Sequence, residues 1–257
     1  MEPAPEEPPL NVDPFAQLRL LDLQALDTRA DQLAHRRRSL PEATRHAELE
    51  QRSAVLGNEI VAARTLVSDL EREQAKADAD VDQVRLRAAK DRDLLDSGTV
   101  GSAKQLESLQ RELESLARRQ SDLEEVELEV MERLDAAQKD LGRLNAEREA
   151  LDTDIAAVAA ARDAAYGDID AELATVTGER ASVAGELPTD LVALYEKLRG
   201  AHDGVGAAAL YRGRCEGCRI QLTPVDIERI RAAASDEVLR CEECRRILVR
   251  TAESGLS

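Results

Sequence analysis

Aromatic side chains are nearly missing from this 257-residue chain, which has no Trp, one Phe and three Tyr. A globular core of this size normally contains many more, so the composition argues against an ordinary globular domain. Long apolar runs are missing as well, and without about 18 consecutive apolar residues a membrane-spanning helix is not expected. Nothing near Met1 resembles a signal peptide. We therefore expect a cytoplasmic protein that has no membrane partner.

Charged residues and helix formers are abundant instead, and the formal net charge is -17. The charge is uneven: between Val205 and Thr251 nine Arg face seven acidic residues, so the remainder of the chain carries nearly all of the negative charge. An acidic surface repels phosphate groups. Nucleic-acid binding by the larger, acidic part of the chain is therefore disfavoured, and only the C-terminal part is open to it.

Two stretches carry apolar residues spaced alternately by three and four positions, which is the heptad pattern of a coiled coil. The first seam is Leu56, Ile60, Ala63, Val67, Leu70, Gln74, Ala77, Val81, Val84 and Ala88. The second seam is Leu106, Leu109, Leu113, Leu116, Gln120, Leu123, Glu127, Val130, Leu134, Ala137, Leu141, Leu144, Arg148, Leu151, Ile155 and Val158. Between them, residues 94–102 contain the Gly and Ser typical of a chain reversal. We therefore predict a mainly α fold whose antiparallel coiled-coil hairpin spans residues 14–182 and turns at about residues 94–102.

The first arm of this hairpin is interrupted at Pro41. Proline removes a backbone donor and disfavours helix at the preceding residue, while Ser39 and Glu42 form a new capping box. A break or sharp kink is predicted here. Residues 1–13, which are rich in proline and acidic side chains, are predicted to be a disordered tail.

Residues 183–257 are predicted to form a connector helix followed by a small α+β zinc-ribbon domain. Its metal ligands are two Cys-x-x-Cys pairs, Cys215 with Cys218 and Cys241 with Cys244. Two intervening residues let both sulfurs of a pair reach one ion, and two pairs complete the tetrahedral site of one structural Zn²⁺. Because the protein fills all four positions, no place remains for a catalytic water, and we expect no enzyme activity. A rubredoxin-like iron site and a redox or disulfide role stay open as alternatives.

Basic and aromatic side chains crowd around these pairs. They are Tyr211, Arg212, Arg214, Arg219, Arg245, Arg246 and Arg250. One interpretation is that the arginines offset the charge of four thiolates and donate hydrogen bonds around the metal. The other is that they contact an acidic protein surface or the phosphates of DNA or RNA, with Tyr211 available for stacking.

The chain resembles a known family in two parts. One is the helical hairpin, including residues 104–106 and 128–131; the other is the pair of C-terminal segments Cys-x-Gly-Cys-Arg-Ile-Gln-Leu from Cys215 and Arg-Cys-Glu-x-Cys-x-Arg-Ile-Leu from Arg240. The family is that of the bacterial coiled-coil proteins with a C-terminal C4-type zinc ribbon. The resemblance implies a hooked hairpin that carries the zinc module. Some members are associated with an alternative sigma factor and with flagellin messenger RNA, which implies adapter or regulatory work in transcription or RNA metabolism.

The sequence thus favours a non-enzymatic zinc-binding adapter in which a coiled-coil arm presents the zinc ribbon to a protein partner. Direct DNA or RNA binding by the arginine-rich face is the alternative, and a plain structural spacer is a third possibility. The expected oligomeric state is a monomer or a weak homodimer, since exposed heptad faces can recruit a second hairpin.

Overall fold

The computed structural model describes residues 10–256. Its helices are α1 (Pro14–Arg38), α2 (Pro41–Asp96), α3 (Ala103–Gly185), α4 (Thr189–Ala201) and α5 (Pro224–Ala232). Its strands are β1 (Ala207–Tyr211), β2 (Arg214–Cys215), β3 (Leu239–Arg240) and β4 (Ile247–Val249). The predicted fold class, long kinked helices followed by a small α+β region, is confirmed. None of the described helices is long and apolar enough to cross a membrane.

The break between the first two helices lies at Pro41, as predicted, whereas α3 continues to Gly185, three residues past the predicted end of the hairpin at residue 182. α1 stops at Arg38, where the Ser39 amide donates to the His35 carbonyl at 3.0 Å, and α2 starts afresh at Pro41. The reversal between α2 and α3 occupies residues 97–102, in which Gly98 has a φ of 67°. The left-handed region is open to glycine at no steric cost, so this residue permits the tight reversal.

Residues 44–160 form one compact unit, in which α2 and α3 run antiparallel. Its cores are rows of seam residues from both helices, such as Leu56 and Ile60 against Leu144 and Leu151. Ion pairs between the helices flank the seam. They are Arg52–Glu147 at 2.5 Å, Glu73–Arg133 at 3.4 Å, Arg85–Glu124 at 2.7 Å and Arg87–Glu112 at 2.5 Å. Exposed pairs of this kind contribute little stability each, so the apolar seam carries most of the energy.

Two acidic side chains meet at the seam of this unit. Within residues 10–256, Asp78 Oδ1 is buried without a hydrogen-bond partner, and Glu127 occupies a seam position of α3. Partial loss of water and the neighbouring Asp78 carboxyl raise the pKa of Glu127 above its usual range. Two neighbouring carboxylates repel each other and oppose the pairing of α2 with α3 unless one of them binds a proton.

Among the described residues, the second unit combines residues 10–43 with residues 161–256. In it α1 packs against the last turns of α3, against α4 and against β1 and β4. The domain boundary predicted near residue 183 stays a prediction. In the structure, however, α1 packs against the zinc-ribbon region and belongs to the same unit. The reason is physical: α1 presents Leu20 and Leu23, both fully buried, to Leu191, Tyr195 and Ile247.

The strands form one sheet in the order β2-β1-β4-β3. β1 and β4 are parallel, with Ala207 opposite Ile247, whereas β2 pairs antiparallel with β1 and β3 antiparallel with β4. The stretch 218–222 adds only a single bridge to this sheet, between Arg214 and Gln221. It cannot extend further because the metal-binding turn takes up its first residues.

The predicted tail of residues 1–13 needs correction at its end. Residues 1–9 lie outside the described part, but Leu10–Asp13 are ordered against the zinc-ribbon region. The Val12 amide donates to the Asp236 carbonyl at 2.6 Å, and the Val238 amide donates to the Leu10 carbonyl at 2.9 Å. This pairing joins residues more than 220 positions apart. Local composition carries no signal for such a distant partner.

We expect the substitution Glu127→Gln to raise the melting temperature of the coiled coil at about pH 7, because it removes the repulsion from Asp78. A raised pKa means that protonation of Glu127 favours the folded state, and that this contribution is lost as the pH rises through the folded-state pKa. The gain from the substitution should therefore shrink toward about pH 4. Far-UV circular dichroism melts at both pH values measure the effect.

The matched control is Glu125→Gln, which removes the same charge from an exposed position on the same helix. An equal gain from the control would show that net charge, and not the seam contact, sets the stability.

Candidate metal centre

Each Cys-x-x-Cys pair forms a tight turn of the same kind. In the first turn the Arg219 amide donates to the Cys215 carbonyl at 2.7 Å, and in the second the Arg245 amide donates to the Cys241 carbonyl at 2.8 Å. Both arginines have left-handed backbones, with φ values of 62° and 60°. A left-handed backbone costs a non-glycine residue about 1 kcal/mol, so each of the two turns carries this cost.

Glycine is required inside the first turn. A Cβ on Gly217 would approach the Ala208 Cβ at 3.0 Å and the Arg246 Cδ at 2.9 Å. The second turn has Glu243 at the equivalent position, where the side chain is exposed. The two turns therefore share a backbone shape but not their surroundings.

The turns bring four sulfurs together. The sulfurs of all four cysteines lie within 4.8 Å of one another, and the Sγ–Sγ distances Cys215–Cys244 and Cys218–Cys241 are both 3.9 Å. A tetrahedral zinc site with Zn–S bonds of about 2.3 Å needs sulfurs about 3.8 Å apart, whereas a disulfide needs about 2.05 Å. The donor set thus fits one structural Zn²⁺, and the four ligands leave no coordination position for a catalytic water.

Thiol ionisation at this site depends on its surroundings. Burial raises the pKa of the Cys215 and Cys241 thiols. Burial has the same tendency at Cys244, but hydrogen bonds from the backbone and side chain of Arg246 outweigh it and lower the pKa of that thiol. Since zinc binds thiolates and displaces their protons, bound metal is what allows buried sulfurs to be ionised together.

A small core surrounds the sulfurs. It contains the buried side chains Ala208, Leu210, Leu222, Ile230, Leu239 and Leu248. α5 contributes Ile230 to this core and is held at its start by a capping box between Thr223 and Asp226. The core is too small to stabilise a domain alone, so metal ligation is needed to hold it together.

The seven predicted contact residues separate into two groups. Arg246 donates to the carbonyls of Val205 at 2.9 Å and His202 at 3.1 Å. Arg250 donates to four carbonyls of the chain that follows α5, namely Ala233, Ala234, Ser235 and Glu237. Both guanidinium groups therefore bind backbone carbonyls and hold loops in place.

The other predicted contact residues lie at the surface. Arg214 pairs with Glu216 at 2.7 Å and Arg245 with Glu242 at 3.6 Å. The Arg212 guanidinium lies 5.2 Å from the centre of the Tyr211 ring. The Arg219 side chain has no ion pair or hydrogen bond within residues 10–256.

A polar network on α1 was not predicted. The Asp27 side chain is only 3% exposed and accepts from the Tyr195 hydroxyl at 2.7 Å and from Arg180 at 2.7 Å. Gln24 accepts from the Gly206 amide at 2.7 Å and donates to the Gly204 carbonyl at 2.9 Å. A signal was present, because polar residues recur at positions 17, 24 and 27 on the same face as Leu20 and Leu23.

We expect Cys241→Ser to reduce bound zinc from one ion per chain to nearly none, since three thiolates hold the metal far less tightly than four. The helices of residues 44–160 have their own cores and should keep their far-UV circular dichroism signal, while amides of β1, β4 and α4 lose hydrogen-exchange protection. Elemental analysis and hydrogen exchange measure the two effects. A general loss of helix would contradict this division of stability.

Relief of the left-handed backbone at the second turn gives a further prediction. Arg245→Gly should stabilise the turn by about 1 kcal/mol and slow zinc transfer to a chelator by roughly fivefold. Its exposed pair with Glu242 contributes little, so little is lost. The matched control is Glu243→Gly, in the same turn but without a positive φ, which should speed the transfer slightly.

Comparison with known proteins supports the two parts of this description. Residues 23–203 match the CT398-like coiled coil hairpin domain, and residues 214–248 match the C4-type zinc ribbon domain. An uncharacterized protein of Mycobacterium tuberculosis is 37% identical over 91% of this chain and 95% of its own length. A solved structure from Mycobacterium smegmatis, 36% identical, superposes with a TM-score of 0.82 over 94% of this chain and all of its own.

CT398 from Chlamydia trachomatis is only 17% identical, but its solved structure superposes with a TM-score of 0.67 over 92% of this chain and 98% of its own. At that identity the likeness concerns the fold alone. The family match covers well over half of the chain, and the metal site has the ligands that the second match describes. The chain therefore belongs to the CT398-like coiled-coil hairpin family, with a C4-type zinc ribbon at its C-terminal end.

Proposed function

We propose that this protein is a non-enzymatic adapter whose zinc ribbon binds a protein partner. The closed four-cysteine site supports a structural role of the metal, because a metal without an open position cannot activate water or substrate. A set of four thiols serves as metal ligands only where they stay reduced, so the adapter works in a reducing compartment such as the cytoplasm. Transcription or RNA metabolism is the process that the family resemblance implies.

The surface groove beside Tyr211 is the observation that carries this proposal. A cavity of about 390 Å³ lies between the end of β1, β2 and the C-terminal segment, and its floor is largely apolar. Its lining residues are Ala209, Tyr211, Arg214, Glu216, Thr251, Ala252 and Glu253. Tyrosine and arginine are among the residues most often found at the energetic centre of protein interfaces.

Charges around this groove favour a protein over a nucleic acid. Arg214 is already paired with Glu216, and Glu253 adds a second carboxylate to the lining. Carboxylates at the edge repel phosphate, whereas a mixed rim of both signs suits the polar edge of a protein interface. Of the six predicted arginines, only Arg212 and Arg219 have no carboxylate or backbone carbonyl bound within residues 10–256.

The double substitution Tyr211→Ala and Arg212→Glu tests the proposal. We expect proximity labelling from the full-length protein in its native cell to lose the partners that depend on the zinc ribbon, with affinity for an isolated partner reduced at least about tenfold, since both residues act as anchors. Arg64→Glu, an exposed change on α2, should leave labelling and affinity unchanged. Bound zinc is measured in each variant to show that the fold is intact.

Partners retained in full by the double variant would contradict a role of this groove. A labelling pattern that is the same with and without residues 205–257 would contradict the adapter function itself and favour a structural spacer.

Direct nucleic-acid binding is the second candidate, favoured by the stacked pair of Arg212 and Tyr211. Two unpaired arginines can neutralise about two phosphates, so the logarithm of affinity for single-stranded RNA or DNA should fall with the logarithm of salt with a slope of about -2 or shallower. A slope of that size that disappears in Arg212→Glu combined with Arg219→Glu would favour this candidate over the first.

A further inference from the structure

The end of the coiled coil, residues 89–122, differs from the rest of the unit. We call it the hairpin tip. In residues 44–88 and 123–160 the seam buries side chains such as Val81 and Val130 almost completely, but no side chain of the hairpin tip is buried. The heptad leucines of α3 continue through it. They are Leu106, Leu109, Leu113 and Leu116.

The cause lies on the facing helix. Near the tip the α2 seam offers Ala88, which is small, and then Asp91, which is acidic. Neither can fill the space opposite leucines. What remains is a cavity of about 440 Å³, bordered by the Arg87–Glu112 ion pair. Its lining combines the apolar side chains Leu94, Val100 and Leu109 with polar ones, which include Asp91, Gln105 and Ser108. Leu94 and Leu106 are 48% and 41% exposed.

Charge separates the hairpin tip from the stem on which it stands. The tip has six basic and seven acidic residues, so its net charge is -1. Residues 44–88 and 123–160 together have eleven basic and twenty acidic residues, a net charge of -9. Two stems brought side by side would therefore repel each other, whereas two tips would not.

We propose that the occupant of this groove is the hairpin tip of a second copy of the chain. Leucines at heptad spacing are the knobs that pack into the holes of a like helix, so the surface is complementary to itself, as a two-fold symmetric contact requires. Two hairpins that meet only at their tips pack these leucines together in one four-helix contact and keep the acidic stems apart. A strongly charged partner would gain no attraction from a nearly neutral tip.

Sedimentation equilibrium of the full-length, zinc-loaded protein from about 1 to 200 μM tests the association. We expect a reversible monomer–dimer equilibrium that Leu94→Glu combined with Leu106→Glu weakens at least about tenfold, since it places charges in the apolar contact. The matched control is Leu86→Glu combined with Leu128→Glu, two exposed leucines outside the tip, and it should change the dissociation constant less than about twofold. Added salt should not weaken the dimer.

The location of the contact is tested on the otherwise unchanged chain with a photo-crosslinking residue. Placed at Val100 it should give covalent dimers, and placed at Val61 on the stem it should give none. A protein that is monomeric at every concentration, a dimer that the tip variant leaves intact, or one that the control weakens equally would each overturn the proposal. So would crosslinks from Val100 only to a different protein in cells, which would assign the groove to a foreign helix.

Discussion

The contact between α1 and the zinc-ribbon region is the constraint on which the rest of the C-terminal structure depends. Leu20 and Leu23 are fully buried against Leu191, Tyr195 and Ile247. A four-cysteine ribbon closes only a small core around its metal. The first helix of the chain supplies the missing apolar surface from about 200 residues away in sequence. The sheet is thus stabilised on one face by the core around the metal ligands and on the other by the packing of α1.

Polar groups make that packing specific. Gln24 bonds both the Gly206 amide and the Gly204 carbonyl, and Asp27 accepts from Tyr195 and Arg180. Burial and the nearby Asp27 carboxylate raise the pKa of Tyr195, which therefore stays a neutral donor. A sliding of α1 by one turn would leave these groups buried without partners, at a cost of several kcal/mol. Leucines alone would tolerate such a slide, and the polar groups do not.

Local chemistry made much of this structure predictable. Pro41 interrupts the helix because of its own ring and missing amide, whatever its surroundings. The heptads of α2 and α3 require a partner helix. The spacing within the two Cys-x-x-Cys pairs is enough to predict that they bind one metal ion. The start of α5 is likewise fixed locally, by the capping box between Thr223 and Asp226. These features depend on residues that are close together in sequence, or on a heptad repeat long enough to be recognised in one helix without knowledge of the helix that packs against it.

Distant pairings could not be predicted in this way. Residues 10–12 pair with residues 236–238 through backbone hydrogen bonds. Every residue type except proline offers the same backbone groups, so the side chains of these residues do not indicate the pairing. The bonding of Gln24 to the chain before β1 requires knowing that α1 lies there. The groove at the hairpin tip is also hidden in the sequence, because the leucines of α3 continue a regular seam. Only Asp91 on the facing helix interrupts the apolar pattern there.

Arginine near a zinc ribbon illustrates why composition alone is a poor guide to a binding surface. Arg246 and Arg250 stand among the residues that the sequence offered as phosphate contacts, yet each guanidinium donates to backbone carbonyls of a loop. Small metal domains have many loops and few strands, so many of their backbone carbonyls lack a partner in a sheet. An arginine, with five N–H donors, can bind several of these carbonyls and so be useful for structure alone. An arginine can be assigned to recognition only after its donors are accounted for. Among the six predicted arginines, and within residues 10–256, that leaves Arg212 and Arg219, which are too few for a phosphate-binding track.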